Sequence, residues 1–266
     1  MSNPVMSRNP YFTGQTQRPN QFDQATLGQP QAQPVPTAFD AQPVDGRMTY
    51  TDAMNKTALL LGVTLVSAVL AAFIVPVPSF PAVAMLTALA AFGVGMFAAF
   101  KPMVSPGLAL SYAVLEGVAL GTITGAFNIF YPGIAFQAIL ATAVIVAVTL
   151  GLHYSGAVRT TPRGRKIVYV VAIGYLVFSL LNMILVATGM LDNFGLRSGG
   201  FGILIGMVMI VVAAYMLIAD FEQVNEAIDR GAPKEFAWTA GLAIVMTILW
   251  IYIEVLRILA IFADRS

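Results

Sequence analysis

Residues 57–75 read TALLLGVTLVSAVLAAFIV and contain no Asp, Glu, Lys or Arg. A helix needs roughly 20 predominantly apolar residues to cross the hydrocarbon core of a bilayer. This stretch meets that length, and six more follow, at 79–100, 107–130, 133–153, 167–190, 200–221 and 236–262. The breaks between them hold helix stoppers: Pro76 and Pro78, Pro102 and Pro106, Pro132 with Gly133, Gly199 with Gly200, and Gly231 with Pro233. The runs are continuous rather than alternating, which excludes a β-barrel. Seven buried helices in a row would leave a soluble protein nothing to meet water. The expectation is an all-α integral membrane protein of seven transmembrane helices.

Composition points the same way. The chain is 58% hydrophobic and only 10% charged, against roughly 25% charged residues in soluble domains. A net charge of +1 carries no signal for nucleic acid. The absence of cysteine excludes disulfides, thiolate metal sites and thiol nucleophiles, and a single histidine, His153, cannot build a multi-His metal site. The first 50 residues hold no apolar core of a signal peptide, so the first span is expected to act as an uncleaved signal anchor. Residues 1–48 are rich in Gln and Pro and bury too little to offset their ordering entropy. They are expected to form a disordered cytoplasmic tail, and residues 49–266 the membrane domain.

Orientation follows from the basic residues between spans. With the N-terminus inside, the inner segments hold Arg47, Lys56, Lys101, Arg159, Arg163, Arg165, Lys166, Arg230 and Lys234, and the outer ones only Arg197 and Arg265. This predicts an N-terminus in the cytoplasm and a C-terminus outside. Gly117, Gly121 and Gly125 share one face of the third span, as do Gly202 and Gly206 on the sixth. Such faces let two backbones approach closely in lipid.

Ionisable groups inside a membrane are expensive and mark function by default. Glu116 sits near the middle of the third span, with no Lys or Arg within four residues. It reads as a proton- or cation-responsive group, or as a protonated acid bonded to a neighbouring helix. Asp220 closes about twenty apolar residues of the sixth span; it reads as part of a polar path or as an ordinary helix-end acid. Glu254 lies in the last span with Arg257 three residues on. The two form either a self-neutralising pair or one half of a carboxylate site shared with another helix. Lys101 and the basic cluster before the fifth span read as interfacial anchors. No nucleophile elbow, His-Glu-x-x-His or phosphate loop is present, so neither an enzyme nor a resident cofactor is expected.

Leu115-Glu116-Gly117-x-x-Leu120-Gly121, Asp220-x-x-Gln223-Val224 and Tyr252-Ile253-Glu254 stand in order on the third, sixth and seventh spans, with a short basic loop after the second. This layout over residues 50–263 resembles the Bax inhibitor-1 family, which includes bacterial YccA-like members. The Glu-Gly motif and the turn at 230–233 look most like the actinobacterial branch. The resemblance implies six helices around a central seventh, in a bacterial inner membrane. It also implies a pH-sensitive calcium leak, sensed by a pair of acids on the sixth and seventh helices. Asp220 matches the first acid, Glu254 is the candidate for the second, and Lys101 falls where a family cation can pair with the sixth-helix acid.

Two features depart from that pattern. Arg257 stands three residues after Glu254, where a neutral residue is commoner in the family. Counted from Pro233, Asp220 is 13 residues away and Glu254 is 21, a difference in depth of roughly 12 Å along straight helices. A direct pair therefore needs a kink, an irregular connection or a different partner. The functional expectation is a calcium-permeable leak or exchanger governed by Asp220, Glu254 and Glu116, whose carboxylate oxygens suit a hard cation as transient ligands. The rival expectation is a non-transporting protein that modulates a membrane protease.

Overall fold

The structure, a computed structural model, describes residues 46–191 and 195–264. Seven long helices make the molecule: α1 (Tyr50–Ile74), α2 (Phe80–Ala99), α3 (Pro106–Phe130), α4 (Ile134–Tyr154), α5 (Pro162–Ala187), α6 (Gly199–Asp229) and α7 (Ala237–Ala263). Each is long and apolar enough to cross a membrane. No strand forms among the described residues.

Most helices outrun their apolar blocks because local chemistry sets their ends. α1 begins at Tyr50 through a capping box: the Thr49 hydroxyl accepts from the Asp52 N–H, and Asp52 reaches back to the Thr49 N–H. Pro162 opens α5, after Thr161 caps the Gly164 N–H. α6 carries on past its apolar block to Asp229, its last turns bearing charged side chains that leave the hydrocarbon.

α7 is the axis. In its apolar window 61% of residues are buried within the bundle, against 6% for α5. Ile244, Ile251, Glu254 and Leu256 of α7 are almost wholly enclosed. Helices α1, α3, α4 and α6 all pack on it, whereas α5 leans on α6 and buries only Asn182 fully.

The glycine face of α3 meets α1. A Cβ on Gly117 would sit 2.5 Å from the Thr64 carbonyl oxygen, and one on Gly121 would collide with the Ala68 carbonyl. Gly125 faces Phe80 instead. On α6, Gly206 lies against Ile258 and Arg257 of α7, while Gly202 lies against the Arg197 carbonyl of the preceding connection.

The expected tail falls largely outside the described residues, but its last three belong to the bundle. Met48 is buried, and its N–H donates to the Ala232 carbonyl at 2.8 Å. The Lys234 N–H donates to the Gly46 carbonyl at 2.9 Å. Residues 46–48 pack on the α6–α7 turn because that turn offers backbone partners to the entering chain.

Candidate functional site

Two polar clusters lie along the seam between α5, α6 and α7, at different depths. The first surrounds Asp220, near the end of α6 that adjoins the α6–α7 turn. Thr247 of α7 donates its hydroxyl to Asp220 Oδ2 at 2.6 Å. Asp220 forms no ion pair among the described residues. Arg165 and Tyr169 of α5 stand within its electrostatic reach, and Gln223 links α6 to the Tyr169 hydroxyl at 3.3 Å.

Just beyond, the α4–α5 connection is clasped onto α6. Arg165 donates to Glu222 at 2.7 Å, to Glu226 at 3.1 Å and to the Thr160 hydroxyl at 2.6 Å. The Thr160 N–H and hydroxyl both donate to Glu222. The Thr161 N–H donates to Tyr215 of α6 at 3.0 Å. Beside this clasp opens a polar cavity of about 820 Å³ whose walls include His153, Arg159, Arg165, Glu222, Glu226 and Asp229.

The second cluster surrounds Glu254. Arg257 donates to Glu254 Oε2, and Tyr175 of α5 donates to Oε1 at 2.5 Å. Arg197, from the α5–α6 connection, donates to the Tyr175 hydroxyl at 3.0 Å and to the Ser179 hydroxyl at 3.2 Å. Trp250 stacks on Tyr175 with ring centroids 6.1 Å apart. Arg197 reaches this depth because Leu196 and Arg197, just before α6, lie against α5. The Leu196 N–H is held by Asn182 Oδ1 at 2.6 Å, and Gly195 has φ +56, a left-handed conformation that favours glycine.

The structure therefore separates the acids that the resemblance pairs. Asp220 faces Thr247, seven residues and two helical turns before Glu254. The hairpin is straight enough for depth to follow residue count: Asp220 is 13 residues before Pro233 and Thr247 is 14 after it. That count was the available signal for Thr247, but a threonine in a span reads as packing. Tyr175 and Arg197 had no such signal, since 79 residues separate Tyr175 from Glu254.

Lys101 is not brought to Asp220. Its ammonium lies over the Phe97 ring at 4.7 Å, at the end of α2. Glu116 is half-buried, one helical turn beyond Tyr112, and has no hydrogen bond or ion pair among the described residues. Tyr112 itself is buried against the Gly95 backbone and Met246. The described residues contain no group of three or more His, Asp or Glu that could hold a metal ion.

A family model described as Bax inhibitor 1 like matches residues 3–264, nearly the whole chain. No curated protein and no solved structure matches it.

Proposed function

The chain belongs to the Bax inhibitor 1 like family, and from that premise we propose that it is a pH-responsive cation leak of the bacterial inner membrane, gated at Asp220, with calcium as the permeant ion. One observation carries this reading. Asp220 is a carboxylate inside a spanning helix whose side-chain hydrogen bond comes from a neutral hydroxyl on the neighbouring helix, without an ion pair. Its charge is therefore free to change with protonation, and the bond that joins α6 to α7 changes with it.

The gate works as follows. Ionised Asp220 accepts strongly from Thr247, since a hydrogen bond to a charged acceptor is roughly twice as strong as a neutral one. That bond draws α6 onto α7 and closes the seam. Protonation removes the charge, weakens the bond and lets the helices part, so cation flux rises as pH falls. The polar cavity beside Arg165 supplies the cytoplasmic mouth, whose wall carries Asp229 as well as the Glu222 and Glu226 that Arg165 holds. Glu116 of α3 is a second candidate for a proton-responsive group in this reading. Glu254 has a structural part here, because Arg257 and Tyr175 occupy its two oxygens.

Calcium flux into proteoliposomes at several pH values tests the gate. The parent should leak more as the pH is lowered. Asp220→Asn should give a high flux without pH dependence, and Thr247→Ala should raise the flux at neutral pH. A parental pH profile in Asp220→Asn would remove Asp220 from the mechanism, and the absence of flux from every protein would remove transport itself.

A further inference from the structure

Among the described residues, the Glu254 cluster holds two guanidinium groups and one carboxylate. One carboxylate, Glu254, serves two guanidinium groups, those of Arg257 and Arg197, linked to it directly and through the Tyr175 hydroxyl. Arg257 is only 8% exposed. Its Nε and Nη1, and the Nε of Arg197, are buried without a hydrogen-bond partner. Buried polar groups are normally satisfied, and an unpartnered buried charge is among the costliest features a fold can hold.

The surroundings fit a missing anion. The cluster lies in the half of the bundle that holds the end of α7: Arg257 is six residues before Ala263, about 9 Å along the helix. On the α6 side, Gly206 lets the backbone pack directly on the Arg257 guanidinium, where a Cβ would come within 2.9 Å of Nη2, so the unpartnered Nε and Nη1 are the atoms left for a ligand. α6 itself begins two residues after Arg197, and Ser198 makes no side-chain cap to its first N–H groups. A helix start of this kind favours a negative charge. Interfacial arginines that snorkel keep their heads in water, but here the Arg257 head is enclosed, so snorkelling does not satisfy it.

We propose that Arg197 and Arg257 form an anion site within the membrane domain that takes a phosphate group. Two planar guanidinium forks with three unpartnered nitrogens suit a multidentate oxyanion better than a spherical halide. The phosphate comes from a lipid headgroup or from free phosphate, since both present the same oxygens. Bound there, it ties the α5–α6 connection to α7. The site is independent of the gate at Asp220 and does not require transport.

The test uses the full chain, purified in a neutral detergent and stripped of lipid. Native mass spectrometry follows retention of phosphatidylglycerol and of phosphatidylcholine, and thermal melting follows added inorganic phosphate. The parent should retain phosphatidylglycerol over phosphatidylcholine, or melt higher in phosphate. The first result assigns a headgroup and the second a free anion. Arg197→Gln should weaken the effect about tenfold, the scale of a lost charge-assisted contact, and Arg197→Lys should weaken it less. Lys166→Gln, exposed at the far end of α5, should leave it unchanged. Arg257→Gln is the more drastic change because it strands Glu254, so Arg197 is the informative position.

Equal retention of both lipids with no phosphate effect overturns the proposal. So does an Arg197→Gln protein that behaves like the parent. Asp192 is the one acid in the α5–α6 connection and lies outside the described residues. If anion preference emerges only in Asp192→Asn, the chain supplies its own counter-charge and the site is not a ligand site.

Discussion

Two carboxylates on adjoining helices have opposite neighbours, and the neighbours decide what each can do. Glu254 has a cation three residues along its own helix, and Asp220 has a hydroxyl. Arg257→Leu should therefore destabilise the protein strongly, by about 3–5 kcal/mol, the cost of stranding one partner of a buried pair. Adding Glu254→Gln to it should recover most of that loss. Melting in one detergent for the parent, the single and the double variant checks this; an undiminished melting point in Arg257→Leu would mean that the pair is not formed. Under the proposed gate at Asp220, Glu254→Gln alone should keep the pH profile of calcium flux. At the end of the bundle away from the α6–α7 turn, the Tyr131 hydroxyl donates to Asp264 at 2.9 Å, and this bond raises the phenol pKa above its ordinary value. The tie between the α3–α4 turn and the end of α7 is then fully present below the unfolded tyrosine value of about 10 and lost as pH climbs through the raised folded value. An ultraviolet titration should show one phenol returning toward its ordinary range in Asp264→Asn. The Glu254–Arg257 contact was legible as an i,i+3 pair. The Asp220–Thr247 contact was not, because the family resemblance drew attention to acids and threonine is common in apolar helices.

Seven helices could be counted from apolar runs because hydrocarbon imposes length and apolarity on every span. Their ends and their ranks could not. α1 starts at Tyr50, seven residues before its apolar block, because the Thr49–Asp52 capping box nucleates it earlier. α5 is as apolar as its neighbours, yet it sits at the periphery while α7 is enclosed; lipid and protein interior select the same side chains, so hydropathy does not distinguish the two. Glycine spacing was more informative. Gly117 and Gly121 mark where α3 meets α1, and the contact is tightest at Gly121, against the Ala68 carbonyl. Gly121→Val should force the two helices apart and lower stability by about 2 kcal/mol or more, as overpacking of a tight contact does. Gly62, on α1, has open space where a methyl group would stand, with nothing within 4 Å of it, so Gly62→Ala should be neutral or slightly stabilising through helix propensity. Thermal melting of both proteins in one detergent decides it. Equal losses would place the α1–α3 contact elsewhere than on the glycine face.

At the scale of the molecule, orientation decides how the proposed gate and the proposed anion site would be used. The bundle has two ends. One gathers the Arg165 clasp, the polar cavity and the α6–α7 turn with Met48 docked on it; the other gathers the Tyr131–Asp264 contact and the α5–α6 connection. By the positive-inside rule, the nine-to-two excess of basic residues at the first end leads us to propose that this end is cytoplasmic. The proton signal at Asp220 would then come from the cytoplasmic cavity, and the phosphate at Arg197 from the outer leaflet or the outer solution. Because the chain has no cysteine, single cysteines report each end without background. Ser155→Cys lies in the α4–α5 connection and Thr188→Cys follows α5, and both positions are exposed. In intact cells an impermeant maleimide should label Thr188→Cys and leave Ser155→Cys unlabelled until the membrane is permeabilised. The reverse pattern would put the polar cavity outside and make Asp220 a sensor of external pH. Flux measured with the pH changed on one side of oriented vesicles would then have to respond from the outer side, which gives the labelling result an independent check.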